Sequence, residues 1–184
     1  MTSSDLSAAA VTDTQRWLAT VEIQQLAHRY AVYVDARDLE RLVELFIPDV
    51  RVGREASGRE ALRADFDRQL RATGVSFLQV GNHVVDFEDE SHASGIVYCR
   101  AESQEGGRES TRWIVQLIQY HDRYERRDGR WLFVRRRHLL VYGADLGQSP
   151  LGLPPADWPR RQTGWGTVPA SLPSWQRFWG QGED

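Results

Sequence analysis

The chain has 184 residues, 41% hydrophobic and 10% aromatic, with a net charge of 23 − 26 = −3. These values fit one globular domain with room for an appended segment, and they exclude a disordered chain or a global basic field for nucleic acid or an anionic membrane. All 23 basic residues are Arg, which removes Schiff-base chemistry and a phosphate-loop lysine, and the single Cys99 excludes an internal disulfide and a Cys-rich metal site.

Residues 1–14 are rich in Ser, Thr and Ala and read as a flexible N-terminus. They lack a basic start followed by an apolar core, so a secretory signal is not expected and a cytoplasmic protein is. Val21, Ile23, Leu26, Ala27, Tyr30, Tyr33 and Val34 recur at helical spacing, which predicts a long helix that breaks near Asp35 to Asp38. Asp38 is placed to N-cap a short helix over Leu39 to Phe46, stopped by Pro48. A short strand over Val50 to Gly53 is expected next. Gly58 then precedes a third helix, Arg59 to Ala72, with Leu62, Phe66 and Leu70 on one face and Gly74 ending it.

Strands dominate after Gly74. The reading places them at Phe77 to Glu88, Ala93 to Glu102, Arg112 to Arg126 and Arg130 to Tyr142. Turns are expected at Asp89-Glu90-Ser91, at Glu105-Gly106-Gly107, and at Asp128-Gly129, where a hairpin needs positive φ. Three helices followed by an antiparallel meander predict an α+β fold with helices packed on one face of a curved sheet, able to close into a cone around a pocket. Residues 143–184 carry six of the seven Pro and four of the seven Trp (Trp158, Trp165, Trp175, Trp179). They read as an extension that packs on the domain at 15–142 or on a partner subunit, less favourably as a lid.

Alternation puts Tyr120, Asp122 and Tyr124 on one strand face and His121 on the other, and groups Arg136 with Leu132, Val134 and His138, away from Trp131 and Phe133. A Tyr–Asp face can orient a carbonyl or hydroxyl and supply a proton; sheet packing is the alternative, and the better one for Tyr124. Three consecutive Arg at 135–137 cannot all be buried unpaired, and Asp122 or Asp35 could meet one of them. The five His have no metal-ligand spacing, and no dinucleotide, nucleotide-triphosphate or nucleophile-elbow motif is present. No metal, cofactor, nucleic acid or membrane is therefore expected.

A helix carrying Tyr30 and Asp35 towards its far end, followed much later by a Trp131-Leu132-Phe133 hairpin arm running into Arg, resembles the SnoaL-like branch of the nuclear-transport-factor-like cone fold. That branch includes dehydratases, a dehydrochlorinase and polyketide cyclases. The resemblance covers about residues 15–142. It implies that Asp35 points into the cone and serves as base or assists one, that Tyr30 occupies a cavity position, and that Arg136 matches a cavity Arg. Tyr30 and Asp35 are five residues apart, roughly 140° around an ideal helix, so both reach one pocket only if the helix ends and bends there. An ordinary helix-terminating Asp beside Arg37 is the alternative.

The chain departs from the family at its catalytic His, whose place is taken by Leu78 in Leu78-Gln79-Val80-Gly81-Asn82-His83. Asn82 fits the Asn that follows. His83 faces away from Leu78 in a regular strand, and a bulge beside Gly81 reverses that. The resemblance thus nominates Asp35, His83, Tyr30 and Arg136 as catalytic, and Asn82, Tyr98, Tyr120, Asp122 and Leu78 as ligand-binding. It implies a cofactor-independent lyase or isomerase of dehydratase, cyclase or isomerase type. The substrate would be a hydrophobic ring-containing small molecule such as a polyketide or steroid, and the assembly a homodimer or homotrimer. The alternatives are a non-catalytic binding or assembly module of this fold, or the small subunit of a ring-hydroxylating dioxygenase.

Overall fold

The computed structural model describes residues 3–147, 149–157, 160 and 163–180. Trp158 lies outside them. Helix α1 (Ser3–Ala36) begins inside the segment read as a loose N-terminus and ends where Arg37 adopts a positive φ of 56°. That residue turns the chain into α2 (Leu39–Glu44), whose N-cap Asp38 accepts from the Arg41 N–H at 3.2 Å. A small hairpin, β1 (Arg51–Val52) with β2 (Ala56–Ser57), leads into α3 (Arg59–Arg71).

Four long strands follow: β3 (Thr73–Phe87), β4 (His92–Glu105), β5 (Trp113–Arg127) and β6 (Arg130–Leu146). They form one antiparallel meander in the order β3-β4-β5-β6, an α+β architecture whose sheet is not closed. The β5–β6 turn carries Asp128 at φ 50° and Gly129 at φ 79°, the pairing a tight hairpin favours. Gly74 is not the helix stop the sequence suggests. It lies in β3, and the Gln104 side chain, whose Oε1 accepts from Val75 N–H at 3.0 Å, fills the space a Cβ would need.

The inner sheet face packs under α1, α2 and α3. Ile23, Leu26 and Val34 of α1 meet Tyr124, Trp131 and Phe133 there, while Ala27 meets Val97, Cys99 and Ile118. Val21 is exposed, so the buried stripe of α1 is narrower than its apolar spacing implies. Helix α4 (Pro173–Gly180) buries Trp175 and Phe178. Ser174 Oγ donates to the Ala36 carbonyl at 2.8 Å, and the Trp175 ring lies 5.0 Å from the Arg37 guanidinium. No helix among the described residues is long and apolar enough to cross a membrane.

Candidate active site

Two bulges decide which side chains face inward. In β3, Val80 pairs with Cys99 but His83 pairs with Val97, so Gly81 and Asn82 contain one residue too many. The surplus brings His83 onto the face of Leu78 and Val80. Asn82, expected to contact a ligand, sits in the bulge itself and is exposed. In β6, Arg135 pairs with Arg123 and Phe133 with Tyr124, leaving Val134 unmatched. Phe133 and Arg136 therefore share the inner face, where simple alternation had separated them. The Arg136 guanidinium lies 4.6 Å from the Phe133 ring.

The inner face carries a polar chain. His83 Nε2 is 3.0 Å from the Tyr124 hydroxyl, which donates to Asp122 Oδ2 at 2.9 Å. Arg136 grips Asp122 as a fork, Nε donating to Oδ1 at 3.0 Å and to Oδ2 at 3.2 Å, and Nη2 to Oδ2 at 2.8 Å. The ionised carboxylate can only accept, so Tyr124 spends its proton there, and His83 must carry its hydrogen on Nε2 and donate to the Tyr124 oxygen. Nδ1 then keeps a lone pair, buried and without a partner. Burial, followed by the Arg136 and His28 charges, lowers the His83 pKa to about 4. Tyr124, read as a packing residue, is the joint of this chain. Burial and the adjacent Asp122 hold its phenol well above its ordinary range.

Arg136 is 5% exposed and Asp122 is fully buried at the side chain. The guanidinium is stacked against Tyr120 at 4.2 Å and Tyr30 at 4.4 Å. Burial is the largest influence and works against its charge, but the Asp122 charge and hydrogen bonds, with Tyr30 and Tyr120, together hold its pKa above the usual value. One guanidinium nitrogen, Nη1, is buried with no hydrogen-bond partner. Tyr30, Tyr120 and Arg136 form one end of a cavity of about 790 Å³ that also touches Phe46, Phe66 and His138. Burial raises both phenols, so Tyr30 and Tyr120 stay protonated donors at neutral pH.

Asp35 follows a different pattern. Its Oδ1 accepts from Ser76 Oγ and its Oδ2 from the backbone N–H of Leu78, both at 2.9 Å. Burial raises its pKa to about 6, against the pull of those two bonds and of the Arg37 charge. Asp35 is not hydrogen-bonded to His83, and neither of them nor Leu78 belongs to the wall of the 790 Å³ cavity. Leu78 packs between the two apolar clusters beside Tyr30. Arg37 is only 2% exposed; it donates to Ser76 Oγ at 2.9 Å and to the carbonyls of Val34, Thr73 and Gly74. Tyr98, expected among the ligand contacts, alternates with buried Val97 and Cys99, so it lies on the outer face, 41% exposed.

The sequence reading named Tyr30, Tyr120 and Arg136 of this wall but not Phe46, Phe66 or His138. Phe46 and Phe66 read as ordinary core positions, and His138 carried no motif. Among the described residues no group of three or more His, Cys, Asp or Glu gathers to hold a metal ion.

No curated protein gives a significant match to the sequence. Solved structures match the fold over about two thirds to three quarters of the chain. One is a candidate scytalone dehydratase from Novosphingobium aromaticivorans, 20% identical with a TM-score of 0.63, covering 76% of this chain and 97% of its own. Another is the hexachlorocyclohexane dehydrochlorinase LinA-type3 from Novosphingobium barchaimii, 22% identical with a TM-score of 0.65, covering 73% and 94%. A candidate aromatic ring hydroxylase from Novosphingobium aromaticivorans is 18% identical with a TM-score of 0.60, covering 70% and 93%. At these identities the likeness establishes the cone-type α+β fold. The family of the SnoaL-like domain matches residues 15–137, most of the chain and all of the inner face described above, and the chain belongs to that family.

Proposed function

We propose that the protein is a cofactor-independent lyase or isomerase of dehydratase, cyclase or isomerase type, acting on a hydrophobic ring-containing small molecule. The observation that carries this reading is Arg136. It is locked by Asp122, walled by Tyr30, Tyr120 and Phe133, keeps a buried Nη1 without a hydrogen-bond partner, and lines a cavity large enough for a fused-ring ligand. Such a donor, held in a dry aromatic setting, stabilises charge that develops on a substrate oxygen without reorganising.

In this reading a ring carbonyl accepts from Arg136 Nη1. A proton leaves the adjacent carbon for the Asp35 carboxylate, whose basicity is raised by burial; because Asp35 lies outside the cavity wall with both oxygens engaged, this step requires the Leu78 segment of β3 to shift and open a path to it. The electron pair moves onto the carbonyl oxygen as an enolate. In a dehydration it returns to expel a β-hydroxyl, which takes a proton from the phenol of Tyr30 or Tyr120 and departs as water. His83, through Tyr124 and Asp122, fixes the guanidinium and acts as a positioning residue. The exposed outer-face residues Phe77, Val84, Ile96 and Tyr98 support a homodimer or homotrimer.

One observation favours a second reading, a binding module without chemistry: the Asp35 carboxylate already accepts two hydrogen bonds, and Leu78 stands where the family places its His. Incubation with a panel of cyclic β-hydroxyketones, followed by enone absorbance, separates the two. The lyase reading expects turnover that falls at least about 100-fold in Asp35→Asn. Tight ligand binding with no turnover of any member overturns it in favour of the binding module.

A further inference from the structure

The cavity has two unlike ends. At one end lie Arg136, Tyr30 and Tyr120. At the other, the β1–β2 hairpin places Arg51 and Arg54 at the mouth. Both are exposed, and Arg51 Nη2 donates to the backbone carbonyl of Arg54 at 3.2 Å across a turn that includes Gly53 at φ 61°. Between the ends the wall is apolar: Phe46, Leu62, Phe66 and Val134.

The charge on this wall is lopsided. It carries Arg51, Arg54 and Arg135, besides Arg136 whose charge is paired by Asp122, and one carboxylate, Asp65. Asp65 is already engaged, by the Arg68 guanidinium and by Gln69 Nε2. Among the described residues Arg51 and Arg54 have no carboxylate partner, although the chain as a whole is acidic. Uncompensated arginines over a low-dielectric cavity focus a positive potential into it. The mouth is also anchored to the floor. Arg59, one residue beyond the hairpin's Gly58, donates from Nε to the Phe46 carbonyl at 2.9 Å, and Gly58 N–H donates to the Val50 carbonyl at 2.8 Å.

We infer that the ligand of this cavity is an amphipathic organic acid: a ring body that fills the aromatic middle, a neutral carbonyl or hydroxyl oxygen at Arg136 Nη1, and a carboxylate or phosphate group at the mouth held by Arg51 and Arg54. This narrows the substrate class of the proposed reaction, and it rests on that reading only for the role of Arg136. The two anionic groups share the chemistry of paired oxygens that a guanidinium fork accepts. An exposed pair of this kind is modest on its own, so the preference for an anion is about tenfold and is eroded by salt.

The test is a calorimetric titration of the full chain at pH 7.5 with 2-naphthoate, 2-naphthyl phosphate and the neutral 2-naphthamide. It is repeated on the Arg51→Gln/Arg54→Gln double variant, whose exposed positions leave the core untouched, with its melting temperature recorded. The inference expects at least one anion to bind about tenfold more tightly than the amide to the parent chain. In the double variant that preference shrinks to about twofold or less while amide affinity holds. Whichever anion binds more tightly names the group. An amide that binds as well as both anions, a preference that survives in the double variant, or no binding of any probe overturns it. Because the readout is binding, a failed turnover screen leaves this inference standing, and a lost anion preference leaves the acid–base chemistry at Arg136 and Asp35 standing.

Discussion

His83 Nε2 lies 3.0 Å from the Tyr124 hydroxyl, and the extra residue in β3 is what puts it there. The contact also needs room on the neighbouring strand. Gly95 supplies it. A Cβ at that position would stand 2.7 Å from the Val84 carbonyl, 3.2 Å from the Tyr124 ring and 3.3 Å from His83 Nε2. The backbone carbonyl cannot yield as a flexible side chain would. Gly95→Ala is therefore expected to cost about 2–3 kcal/mol by overpacking, and to separate His83 from Tyr124. Chemical denaturation measures the first effect and the His83 ring signals in NMR the second. An unchanged midpoint would show that β4 shifts freely.

Asp35 and His83 pull the pH dependence of stability in opposite directions. Burial raises Asp35 from 3.8 to about 6, so the folded state holds its proton more tightly. Its contribution is full below pH 3.8 and is lost as pH rises through about 6, on the order of 2–3 kcal/mol. Burial first, then Arg136, lowers His83 from 6.5 to about 4. Its contribution is full above pH 6.5 and is lost as pH falls through about 4, about 1–2 kcal/mol after allowance for partial exposure. Between pH 4 and 6 the two slopes largely cancel. Asp35→Asn is expected to unmask stability that rises with pH across that window, and His83→Gln stability that falls. Urea midpoints at half-unit pH steps read both slopes, and parallel curves for the two variants would refute the assignment.

Arg136 and Asp122 form a buried pair whose members fail separately. Arg136→Met strands a fully buried carboxylate and is expected to destabilise the fold by about 3–5 kcal/mol. Asp122→Leu strands the guanidinium at similar cost, and also takes the acceptor from Tyr124. The double variant Arg136→Met/Asp122→Leu should recover most of the loss, because two apolar groups leave no charge unpaired. A double-mutant cycle by denaturant unfolding measures the coupling, and additive losses would mean that water already solvates the pair.

What the sequence made legible follows from how local its causes are. Asp128-Gly129 demanded a positive-φ turn and Asp38 an N-cap, and both needs are met within four residues. The β3 bulge had a local mark, since Gly81 weakens a strand. The β6 bulge had none: Val134 sits among strand-formers, so Phe133 and Arg136 were assigned to opposite faces. Leu78 at the family His position was visible only through the resemblance. The backbone bond from its N–H to Asp35 was not, because any residue there offers the same N–H. Arg37 was legible only as a neighbour of Asp35, because a buried guanidinium in left-handed backbone is fixed by β3 and α4, dozens of residues away.

Trp175 extends the site to the end of the chain. Its ring covers the Arg37 guanidinium, Arg37 Nη1 donates to Ser76 Oγ, and Ser76 Oγ donates to Asp35 Oδ1. Trp175 is 6% exposed, so removing it opens this line to water. Trp175→Ala is expected to cost about 3–5 kcal/mol as a large buried truncation. Hydration should also relieve the desolvation that raises Asp35, so its pKa falls from about 6 towards its ordinary value of 3.8. Trp175→Phe keeps the cover and should leave Asp35 near its original position. Carboxyl-carbon NMR titration reads the Asp35 shift independently of the stability loss. If Asp35 titrates alike in the parent chain and Trp175→Ala, α4 is a stabilising strap that leaves the electrostatics of the carboxylate unchanged.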